Sequence, residues 1–126
     1  MPKFTLYGAG LMMLVVGALH LLAPQMMMSE PGIALTSPNH FHVIRAAYGG
    51  AYLGMSALFL LGALRPQFRR GSLLAVAILF SGFALGRLVS LLLDGRPVAL
   101  YLGVLAAEVT FGVLAVLSLR SMTADR

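Results

Sequence analysis

Residues 72–93 read SLLAVAILFSGFALGRLVSLLL, a run of apolar and small residues in which Arg87 is the one charge. As a helix rising about 1.5 Å per residue, it is long enough to cross a hydrocarbon core about 30 Å thick. Working outward, three further runs of similar length appear, roughly Phe4 to Leu22, Val43 to Leu64 and Val98 to Leu119. Between them lie a polar segment from about Ala23 to His42, the basic link Arg65-Pro66-Gln67-Phe68-Arg69-Arg70-Gly71, and the turn Asp94-Gly95-Arg96-Pro97. Pro and Gly stand in all three links, where helices stop.

Composition agrees with four spans. The chain has 126 residues, 60% hydrophobic and 10% charged, with a mean hydropathy of +0.92. A soluble domain this small buries only about 60–70% of the surface its unfolded chain exposes, too little to hide so much apolar area. Disorder is excluded by the hydrophobicity, a disulfide scaffold by the lack of Cys, and a second folded domain by the length. The net charge of +5 comes from nine basic residues dispersed between apolar blocks. No basic stripe suits nucleic acid. The expectation is a single all-α domain over residues 1–126, an integral membrane, antiparallel four-helix bundle whose first partner is the bilayer.

The first run begins after Lys3 and could be read as a signal peptide. At about 19 residues it exceeds the usual apolar core of a signal, about 7–15 residues, and no small-x-small site follows, so it is read as a retained helix. Lys3, Arg65, Arg69, Arg70, Arg120 and Arg126 flank one side of the bundle, against Arg96 on the other. By the excess of Lys and Arg in cytoplasmic flanks, both termini are expected inside.

Arg87 and Glu108 are charges within the spans, and an unpaired charge at helix centre costs on the order of 2.5–3.5 kcal/mol. Arg87 should lie roughly 9 Å below the outer end of its span and Glu108 roughly 15 Å below, a difference that a long Arg side chain can cover. The short turn at residues 94–97 makes these spans antiparallel neighbours, so a salt bridge is expected. One reading gives the pair the task of fixing helix register; the other gives it a ligand, a proton or an ion.

Other polar residues lie at the same depth. Arg45, Tyr48, Tyr52 and Ser56 follow one another at helical spacing, as do Arg87, Ser90 and Asp94, and Tyr101 stands one heptad before Glu108. His20 ends the first run, and Asn39, His40 and His42 lead into the second. The inner half reads as plain Leu, Val, Ala and Phe. Together these predict a polar pocket facing the outer leaflet, lined by Arg45, Arg87 and Glu108 with His and Tyr at its rim. Two arginines against one carboxylate would suit an anionic lipid or small amphiphile. The competing reading has Arg45 snorkelling to the interface and the tyrosines forming an aromatic belt.

Gly50-x-x-x-Gly54 and Gly82-x-x-x-Gly86 would let backbones approach, as seams within the chain or as faces for a second copy or a larger membrane complex. Metal is weighed on His20, His40, His42 and Met26-Met27-Met28, which would suit Cu(I), but three consecutive Met cannot point at one ion; no metal and no cofactor is expected. No nucleophile elbow, zinc-helix motif, phosphate loop or carboxylate pair is present, so catalysis has no template.

Arg45-Ala46-Ala47-Tyr48-Gly49-Gly50, Gly86-Arg87-Leu88 with Ser90, Asp94-Gly95-x-Pro97 and Glu108 resemble the bacterial "domain of unknown function 4345" family over nearly the whole chain. The resemblance implies a small four-helix protein of the bacterial inner membrane, with Arg45, Arg87, Asp94 and Glu108 at family-type positions. It implies no activity. The functional expectation is a non-enzymatic binding protein, with an accessory subunit second and a proton-coupled transporter using Glu108 third.

Overall fold

A computed structural model describes residues 1–124, so Arg126, counted above with the basic flank, lies outside the described residues. The described chain is helical: α1 (Pro2–Leu22), α2 (Pro24–Ser29), α3 (Pro38–Ile44), a π-helical turn (Arg45–Gly50), α4 (Ala51–Leu64), α5 (Pro66–Leu93) and α6 (Ala99–Ala124). Proline sets where several of them begin. Pro2, Pro24, Pro38 and Pro66 each occupy a first helical turn, where the ring fixes a helical φ and its missing N–H has no intrahelical partner to lose. Ser37 adds a side-chain cap, its hydroxyl accepting from the His40 backbone N–H.

Four rods are long and apolar enough to cross a membrane: Pro2–Leu22, Pro38–Leu64, Pro66–Leu93 and Ala99–Thr123. The second is longer than expected because α3, the π turn and α4 run on as one rod, with right-handed helical dihedrals at Ile44, Arg45, Gly50 and Ala51. The third starts six residues earlier than expected, at Pro66 rather than Ser72. Arg65 alone joins α4 to α5, in extended conformation as a residue before proline prefers. After α5, Gly95 (φ 94°) takes the left-handed conformation that reverses the chain into α6.

The rods alternate up and down, and α1 and α5 each pack against both α4 and α6, touching one another across a diagonal. The main apolar core lies toward the half near the termini, where Leu6, Met13, Phe59, Leu73, Val76, Phe80 and Ala115 are buried. The outer faces carry exposed leucines, with Leu92, Leu93 and Leu22 each more than three-quarters exposed, as suits a lipid-facing surface.

That inner half is not purely apolar as expected. Thr5 on α1 and Ser118 on α6 pair through their buried hydroxyls at 3.3 Å, and Ser72 on α5 donates to the Leu58 carbonyl of α4 at 2.8 Å. Nearer mid-span, Ser56 donates to the Gly10 carbonyl of α1, also at 2.8 Å. In a solvent without water, such bonds give helix contacts direction that dispersion alone lacks.

The glycine seams also fall elsewhere. A Cβ at Gly54, Gly82 or Gly86 would meet nothing within 4 Å, and one at Gly50 would meet only the Arg45 carbonyl. Side chains crowd Gly8, Gly10 and Gly62, and the close approaches to backbone are at Gly17, whose added Cβ would stand 3.0 Å from the Leu53 nitrogen, and at Gly49, 3.1 Å from the Leu21 backbone; the last two lie between α1 and the second rod. Small-residue spacing permits two helices to meet but does not choose the helix that meets them.

Candidate functional site

The half of the bundle away from the termini is looser, and a cavity of about 530 Å³ opens there between the second rod, α5 and α6. Its size falls within the range of about 300–1,000 Å³ typical of ligand pockets. Tyr48 and Tyr52 come from the second rod, Gly82, Phe83, Gly86, Arg87 and Ser90 from α5, and Tyr101 and Leu105 from α6. Gly82 and Gly86, expected as a seam, instead leave the space that makes the cavity.

Arg87 is the cavity's charged residue. Its Nε donates to both carboxylate oxygens of Glu108, each at 2.9 Å, so the pair expected from depth is present. Glu108 is buried behind it, its side chain 4% exposed, while that of Arg87 is 35% exposed. The guanidinium carbon lies 5.6 Å from the Tyr101 ring centroid, within cation–π range. Among the described residues nothing accepts from the Nη groups of Arg87, which leaves them available to a guest.

An aromatic row runs from the cavity into the core. The His20 ring stacks on Tyr48 at 5.6 Å, Tyr48 meets Tyr52 edge-on at 5.8 Å, and Tyr52 meets Phe83 at 6.1 Å. Phe83 then leads to Phe80, and Phe80 to Phe59 and Phe111. His20 is buried, with Nδ1 2.7 Å from the Val16 carbonyl. A carbonyl only accepts, so Nδ1 carries the proton.

Arg45 is not in this cavity. Its Nε donates to the Leu21 carbonyl at 3.0 Å, capping the last turn of α1, and its guanidinium lies over Phe41 at 5.5 Å. With His42 it lines a separate, more open concavity on α3. The single pocket holding Arg45, Arg87 and Glu108 is therefore divided, and the surplus positive charge expected opposite an anionic lipid is gone. The π turn explains the separation. Ala51 N–H reaches back five residues to the Ala46 carbonyl, and this wider turn changes the angle between Arg45 and the residues of α4 from that of a regular helix. Asp94 also stands apart, exposed and accepting from the Ser90 hydroxyl at 2.8 Å at the end of α5.

Leu91 and Pro97 complete the lining. In a sequence where most positions are apolar, nothing marks Leu91 or Leu105, although Phe83 beside Gly82 and Gly86 is an available signal. The three histidines do not converge. His20 lies in the aromatic row, His40 accepts at Nδ1 from the Thr36 backbone at 3.1 Å, and His42 faces out. Among the described residues no three His, Cys, Asp or Glu side chains come together.

No curated protein and no solved structure matches the chain. A family model, described as a domain of unknown function (DUF4345), matches residues 1–119. That span takes in all of α1 to α5, the cavity and Glu108, and the chain therefore belongs to the DUF4345 family.

Proposed function

We propose that the protein is a non-enzymatic membrane protein whose cavity holds the polar head of a small amphiphile, with Arg87 as the contact. The supporting observation is the disposition of the Arg87 guanidinium, which lines the cavity with its Nη groups unclaimed while Nε is held by Glu108. Because Glu108 cancels the charge of Arg87, the cavity favours an uncharged head with hydrogen-bond acceptors. Lys3, Arg65, Arg69, Arg70 and Arg120 on the terminus side support, by the positive-inside rule, cytoplasmic termini with the cavity toward the outer leaflet, and the family resemblance suggests a bacterial inner membrane.

Native mass spectrometry of protein released gently from its own membrane tests this reading. The comparison is with the paired Arg87→Leu, Glu108→Leu variant, which removes both charges together and leaves neither stranded. A retained mass of lipid size that vanishes in the variant is the expected result. A bare chain in both samples would end the proposal, and a mass retained equally by both would place the amphiphile elsewhere.

The second reading, an accessory subunit, has its own observation: the face of the second rod carrying Gly50 and Gly54 is exposed and touches nothing that a Cβ would disturb. A partner helix seated there would be displaced by Gly54→Leu, detected as a lost companion in the same spectrum. A proton-coupled carrier using Glu108 draws no support from a carboxylate with both oxygens held by one N–H.

A further inference from the structure

We propose that the head taken into this cavity is a planar ring bearing carbonyl groups, of the benzoquinone type, on an apolar tail. The inference rests on the amphiphile reading above and names the class of guest.

The shape of the lining comes first. Gly82 and Gly86 lie one helical turn apart on α5, and both border the cavity with open space where a side chain would stand. They present bare backbone, a flat floor to which a ring can lie close. Tyr48, Tyr52, Phe83 and Tyr101 supply ring faces and edges around that floor. Aromatic side chains bind another ring in stacked or edge-on contact, each such pair contributing beyond its buried area. A bulky tetrahedral head, such as a glycerol or a phosphate ester, gains nothing from a flat floor and loses these contacts.

The polar inventory selects the ring's substituents. Glu108 is buried behind Arg87 and does not border the cavity, so its oxygens lie out of a guest's reach. What borders the cavity is the Arg87 Nη groups, which only donate, and the Tyr48, Tyr52 and Tyr101 hydroxyls, which can donate as well as accept; none of these is hydrogen-bonded among the described residues. A guest matched to donors brings acceptors, and a guest matched to a neutralised ion pair brings no charge. Carbonyl oxygens on a conjugated ring meet both conditions. Leu91 and Leu105 give the tail an apolar path.

The chain carries its own reporter. It has four tyrosines and no tryptophan, and Tyr48, Tyr52 and Tyr101 border the cavity, leaving only Tyr7 elsewhere. The protein is reconstituted in dioleoylphosphatidylcholine vesicles and titrated with a decyl-substituted benzoquinone while tyrosine emission is followed. The expected result is saturable quenching that leaves the share of Tyr7. Gly86→Leu, whose Cβ meets open space and whose side chain occupies the floor, should raise the half-saturating concentration at least about tenfold, a loss of about 1.4 kcal/mol. Monoolein, uncharged but without a ring, should compete poorly.

Quenching that rises linearly and equally in wild type and Gly86→Leu would overturn the ring assignment, as would monoolein competing on equal terms. Unaltered helical circular dichroism and melting establish that the variant is folded. Failure here is separable from failure of the amphiphile reading. Non-saturable quenching beside a native-mass adduct that depends on Arg87 and Glu108 removes the ring alone. Non-saturable quenching with no adduct removes both.

Discussion

Arg87 Nε bridges the two carboxylate oxygens of Glu108 at equal distances of 2.9 Å, yet the partners are unequally placed: Glu108 is buried and Arg87 is a third exposed. The consequences of breaking the pair are therefore asymmetric. Arg87→Leu strands a buried carboxylate and is expected to destabilise by about 3 kcal/mol. Glu108→Gln keeps an accepting oxygen and leaves the charge on the more exposed partner, so a loss nearer 1 kcal/mol is expected. Dodecyl-sulfate unfolding titrations in mixed micelles measure both. Equal losses would contradict the asymmetry of burial.

The glycines separate into two groups with opposite outcomes. Gly49→Val forces side-chain atoms onto the Leu21 backbone, which cannot give way as a flexible side chain can, and a loss of about 1–3 kcal/mol is expected. Gly54→Val meets open space, so stability within about 0.5 kcal/mol of wild type is expected. Thermal melts in detergent distinguish them. Parity between the two variants would mean that the α1 contact with the second rod is not close-packed.

Thr5 and Ser118 join the first and last rods through their hydroxyls. A double-mutant cycle with Thr5→Val and Ser118→Ala should give a coupling of about 0.6 kcal/mol, the average for polar contacts between membrane helices. Strict additivity would assign the two hydroxyls to their own helices only.

Arg45 caps α1 from the neighbouring rod. Arg45→Gln should lower stability by about 1 kcal/mol through the loss of that capping bond, while any adduct held at Arg87 is retained in full. An adduct lost with Arg45→Gln would return Arg45 to the cavity.

The four spans were legible because hydropathy is summed along the chain and needs no knowledge of neighbours. The Arg87–Glu108 pair was legible for a related reason: the turn at Gly95 is short, so depth along two adjacent rods reduces to counting residues. Arg45 was not. Its placement depends on helix rotation, and a single wide turn between Arg45 and Gly50 alters that rotation without a distinctive sequence signal. That Gly82 and Gly86 form no seam within the chain is hidden for a third reason. The residues that would fill the space in front of them belong to α4 and α6, and no pattern within α5 reveals whether those helices come close.

The connection between α4 and α5 is a single extended residue, Arg65. Biogenesis is constrained by that fact. Two apolar rods joined so tightly form a helical hairpin, and neither can be handed to the lipid while the other waits in water without exposing its whole apolar length. The second and third spans are thus bound to cross as an antiparallel pair, with the arginines at the bend on one face and the far ends of both rods on the other. Orientation is decided once for the pair, and lengthening this bend with a flexible polar insert would separate a choice that the native chain makes only once.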